Sequence, residues 1–107
     1  RSKGDPHEEM TVPKSIRMAG QTVKIRLKDL SDHDEWGYWV AEKRMIVIHG
    51  SLTPRKFKET LRHEMIHAAL HLCGVAWCER MEEEALVRCL DEVFWPSWER
   101  VERRLGE

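Results

Sequence analysis

The chain has 107 residues, enough for one small domain with a two-layer core. Its formal net charge is −1, with 35 % charged residues of both signs interspersed, which excludes a global basic field steering it to nucleic acid. No apolar run approaches the ~20 residues of a membrane span. No secretory leader is recognisable ahead of the domain, although the chain opens on Arg1 rather than Met. Three cysteines, Cys73, Cys78 and Cys89, are an odd number without framework or C-x-x-C spacing. They read as reduced thiols of a cytoplasmic protein. Five Trp are many for this length and serve either a core or a peptide groove.

Taken in order, residues 1–11 are polar, with Gly4 and Pro6. They read as a disordered arm or an appended remnant before a single domain over 12–107. Ile16-Arg17-Met18, then Gly20, then Thr22 to Leu27 reads as two strands about a turn. The second alternates, with Val23, Ile25 and Leu27 on a packed face and Lys24, Arg26 and Lys28 on a solvated one. Ser31 to Glu35 is an acidic loop carrying an exposed His33. Trp36 to Val40 and Met45 to His49 flank a short polar turn and read as a hairpin. The last of these strands is apolar on both faces, so it is central or covered.

Thr53 is a good N-cap and Pro54 suits a first helical position, so a helix runs from Pro54 to Leu72 or Cys73 and stops at Gly74. Phe57, Leu61, Met65 (or Ile66) and Ala68 form its sheet-packing side. Val75 to Cys78 connects to a second helix, from about Glu79 to Val93 or Phe94, with the stripe Ala85, Leu86, Cys89, Leu90, Val93. Pro96 interrupts that helix, and Ser97 to Leu105 adds a short terminal one. The expected fold class is α+β: a small, mostly antiparallel sheet of three or four strands packed on two helices.

The chemistry sits in the first helix, in His63-Glu64-x-x-His67. Residues four apart share a helix face, roughly 5–6 Å apart at Cβ, so both imidazoles can address one metal ion. Glu64 stands beside them as a general base for a metal-bound water. This is the pattern of a zinc-dependent peptidase. The helix is apolar on most sides, and polar groups embedded in such a helix need partners.

A catalytic zinc takes three protein ligands and a water. His71 is too far along the axis to join, about 12 Å from His63 at 1.5 Å per residue. It lines the site or packs beside it. On the second helix, stepping back from Leu86, Leu90 and Val93 lands on Glu83, with Glu82 as nearest rival; Glu84 points more toward solvent. Tyr38 and His49 are candidates to line the site.

His63-Glu64-x-x-His67-x-x-x-His71, followed by an acidic residue opening the next helix, resembles the ImmA/IrrE-type metallopeptidases and the related phage-encoded minimal gluzincins. The resemblance covers about Trp36 to Pro96. With Glu83 as ligand, Leu86, Cys89, Leu90, Val93, Phe94 and Pro96 fall at the matching offsets. Leu86-Val87 stands where the family usually has Ala-Asn, which favours the compact phage-like relatives. The resemblance implies a zincin-like fold, Zn2+ on His63, His67 and Glu83, Glu64 as base, and a protein or peptide substrate.

Other readings compete. His67-Ala68-Ala69-Leu70-His71-Leu72-Cys73-Gly74 is similar to the signature of bacterial rRNA-processing endoribonucleases, but the further His they need is Trp77 here. A SprT-like protease domain would want a downstream His, and none follows His71. The non-enzymatic alternative is a zinc-stabilised binding module of phage regulatory or toxin–antitoxin type. Such a site would be closed by four protein ligands and would have no use for Glu64.

Overall fold

The computed structural model describes residues 12–75 and 83–106. Residues 1–11, the connector from Ala76 onward, Glu79 as helix start and Glu82 as rival ligand lie outside the described residues. Four strands, β1 (Ser15–Met18), β2 (Gln21–Lys28), β3 (Gly37–Val40) and β4 (Met45–His49), precede the helix α1 (Pro54–Leu72). After it come α2 (Glu83–Cys89), a π turn (Leu90–Phe94) and α3 (Trp95–Arg104). The fold class is α+β, as expected.

The sheet order is β1-β2-β4-β3. Each outer pair is an antiparallel hairpin, whereas β2 and β4 run parallel at the centre, Ile25 opposite Ile46 and Leu27 opposite Ile48. Two hairpins are thus laid side by side, and the sheet is mixed. β4 is central, and its Ile46, Val47 and Ile48 are all buried. α1 lies over β3 and β4, and α3 over β1. Leu27, toward the far end of β2, falls outside both and is 42 % exposed, so the alternation overstated its packing.

α1 starts as its sequence dictates. The Thr53 hydroxyl accepts from the Lys56 amide, and Pro54 occupies the first turn. Beyond its end, Gly74 takes φ +80°, the left-handed conformation of a helix terminator. Phe57, Leu61, Met65, Ala68 and Ala69 form the buried stripe, packed with Ile46 and Ile48 of β4 and with Trp98, Val101 and Leu105. Full burial of a Phe or Leu side chain is worth about 2 kcal/mol, so this stripe fixes α1 on the sheet.

Pro96 interrupts the regular α-helix, as the sequence suggests, but without stopping the helical run: α2 ends at Cys89, a π turn follows, and the terminal helix starts at Trp95, two residues before the expected Ser97. Proline lacks an N–H and crowds the carbonyl four residues back. The π turn absorbs that conflict, since the Trp95 N–H donates to the Leu90 carbonyl, five back. The Ser97 hydroxyl then donates to the Val93 carbonyl at 2.6 Å. The helical run continues through Arg104. Among the described residues, no helix is long and apolar enough to cross a membrane.

Candidate active site

The middle of α1 faces the edge of the sheet. There His63, Glu64, His67 and His71 share one cavity with Glu35 and with Gly37, Tyr38 and Trp39 of β3. A second cavity of about 290 Å³ adjoins it, walled by Glu35, Trp36, Gly37, Lys56, Glu59, Thr60, His63 and Glu64. The His63 and His67 rings stand 5.0 Å apart, nearly edge to face. This is what the helical spacing demands, and it puts two imidazoles on one patch of surface.

Between them Glu64 is buried to 7 % exposure. Burial pushes its carboxyl above the ordinary carboxylate range, while His67 and His63 pull it back and Glu35 adds to the rise. A carboxylate with a raised proton affinity beside two metal-type donors is the electrostatic setting of a general base.

His71 follows one turn later. Its Nδ1 lies 3.1 Å from the His67 carbonyl and its ring tilts against Trp39. It lines the cavity. Tyr38 also lines it, but its register partner is Val47, out of phase with the core-facing Ile46 and Ile48. It therefore belongs to the sheet face away from α1 and meets the cavity at the strand's edge. His49 is placed elsewhere. Its Nδ1 accepts from the Leu30 amide at 2.9 Å and its ring packs on Trp36. It anchors the loop after β2 and stands outside both cavities.

Glu83 is exposed at the first described position of α2 and does not line either cavity. Among the described residues, no group of three His, Cys, Asp or Glu side chains is gathered to hold a metal ion. His63 and His67 present two imidazole donors of the kind a metal ion takes, and the described residues bring no third to complete a set.

No family model matches the chain, and no curated protein or solved structure does either. Sequence reasoning missed Glu35 as a wall of the site and offered Trp36 only as one of five Trp for a core or a peptide groove. The sequence marks Glu35 only as the end of an acidic loop, and the structure puts it, though exposed, on the wall of both cavities. Trp36 stays 52 % exposed while lining one of them. The available signal was chain position: both immediately precede β3, the strand that α1 covers.

Gly37 is what lets β3 and α1 come so close. A Cβ there would meet the Val47 carbonyl at 2.8 Å and Thr60 Cγ2 at 2.9 Å. Both lie below normal contact, and one is backbone. Trp39 contributes the one buried side-chain polar atom, among the described residues, that has no hydrogen-bond partner: its Nε1. Such an orphan donor calls for a polar group to meet it.

Proposed function

We propose that the chain is a zinc-dependent metallopeptidase that takes its protein or peptide substrate as an extended strand along β3. The supporting observation is one cavity with two kinds of wall: the His63–Glu64–His67 face of α1 and the outer edge of the sheet at β3. An edge strand offers main-chain hydrogen bonds to an added peptide strand, and Trp36 gives an apolar wall for a substrate side chain. His63 and His67 hold the metal in this reading. Completing the set with Glu83, the donor expected from the sequence, would require the exposed start of α2 to move in toward His63 and His67. Zinc so held supplies Lewis acidity and lowers the pKa of a water toward ~7.

Glu64 is the base. It would take the proton of the attacking water and deliver it to the leaving amine. The free thiols of Cys73 and Cys89 support a cytoplasmic setting.

Glu64→Gln tests the assignment. The variant keeps its zinc by elemental analysis but cleaves a peptide library ~10²–10⁴-fold more slowly, against a chelator control. Cleavage at the parent rate overturns the base. Stability moves the other way. In the metal-free protein burial raises the Glu64 pKa, so its contribution to native stability is greatest at low pH and is lost as pH rises through that raised value. Glu64→Gln removes this decline. His63→Ala and His67→Ala lose zinc and stability together, since metal binding is coupled to folding. Zinc retained by Glu83→Ala moves the third donor elsewhere. A metal closed by four protein donors turns the reading to a non-catalytic zinc module.

A further inference from the structure

Two thiols meet where α1 ends against α2. The Cys73 amide donates to the Ala69 carbonyl at 2.9 Å, and the Cys89 thiol donates to that same oxygen at 3.2 Å. Two donors on one acceptor stand side by side. Cys73 and Cys89 also line one surface cavity, together with Arg88 and Glu92. Their exposures differ: Cys73 is open to solvent, whereas Cys89 is buried.

We infer that Cys73 and Cys89 form a redox-active dithiol, which closes to an intramolecular disulfide on reaction with a low-molecular-weight disulfide such as oxidised glutathione. The exposed Cys73, as thiolate, attacks one sulfur of the reagent. The reagent's S–S bond breaks, one glutathione thiolate leaves, and a mixed disulfide forms at Cys73. Cys89 then gives up its proton and attacks the Cys73 sulfur, expelling the second glutathione. The two protein thiols lose two electrons in all, the reagent gains them, and both protons end on the released glutathiones.

Burial, with the adjoining Cys73 thiol, pushes Cys89 up to about 12. This keeps Cys89 protonated at rest and sets the order of the two attacks. The closed bond ties the end of α1 to α2. The inference stands apart from the peptidase reading, because it uses neither the metal donors nor Glu64.

The experiment treats the full chain with oxidised glutathione, followed by intact mass and non-reducing peptide mapping. The expected product has lost two hydrogens, with Cys73 joined to Cys89, and reverts on adding dithiothreitol. Cys78→Ser gives the same product. Cys89→Ser stops at glutathione on Cys73, and native Cys73→Ser forms no bridge. The oxidised form unfolds at higher urea than the reduced one. A persistent glutathione adduct on Cys73 of the unsubstituted chain, a bridge that includes Cys78, or no reaction would each overturn the inference.

Discussion

The two edges of the sheet are treated in opposite ways. At the β1 edge, α3 lays two arginines along the strand. Arg100 donates to the Arg17 carbonyl at 2.8 Å and Arg104 to the Ser15 carbonyl at 3.2 Å. These are the alternate carbonyls of β1, the ones turned away from β2. The guanidiniums occupy the acceptors a further strand would need, and their charge repels apolar chain. At the other edge, β3 has β4 on one side and the candidate cavity on the other. An exposed strand edge is a liability that proteins usually blunt. Among the described residues one edge is blunted and the other lies beside His63, Glu64 and His67, which suits the peptide-binding edge proposed above.

The largest test of that contrast is Gly37→Ala. The new methyl group collides with the Val47 carbonyl and with Thr60. Overpacking of this kind costs about 1–3 kcal/mol, read as a lower urea midpoint. Cleavage should fall further than the stability loss explains, because β3 is pushed off α1 at the cavity. An unchanged midpoint would mean that β3 is not pinned there, and the contrast would lose its open side.

A smaller effect is expected at the closed edge. Arg100→Met with Arg104→Met removes hydrogen bonds worth about 1–2 kcal/mol together and leaves the Arg17 and Ser15 carbonyls bare. We expect concentration-dependent self-association by sedimentation, with cleavage per folded molecule unchanged. If the double variant stayed monomeric, the arginines would be tying α3 down rather than guarding the strand.

How much of this was legible beforehand depended on whether the signal was local. The start of α1 rests on Thr53, Pro54 and one turn of backbone, and the sequence showed it. The centrality of β4 was also readable, because a run apolar on both faces has to be covered on both. The pairing of β2 with β4 was not: alternation marks which face of a strand is packed but not which strand lies beside it. Pro96 marked a break in the regular helix but not its form: a π turn and the Ser97 hydroxyl carry the helical run past it, features set by backbone geometry rather than residue type. In the site, His63, Glu64 and His67 come together because one helix carries them. Glu83 sits on a separate element, where periodicity gave a face but no distance, and it is exposed and lines neither cavity. Glu35 and Trp36 reach the site only through the approach of β3 to α1, which no spacing in the chain encodes.

The gentlest test stabilises the closed side. Ala19 and Gly20 join β1 to β2 with φ of 51° and 72°, the pattern of a two-residue type I′ turn. Glycine takes positive φ freely, but alanine does so against the clash of its Cβ with the backbone. Asparagine tolerates the left-handed region, and Asn-Gly is the favoured pair for this turn. Ala19→Asn should therefore raise stability by about 0.5–1 kcal/mol, seen as a higher urea midpoint with unchanged cleavage. A gain in stability that slowed cleavage would show that the β1 hairpin and the cavity move together. The two edges would then be parts of one device rather than a guarded side and a working side.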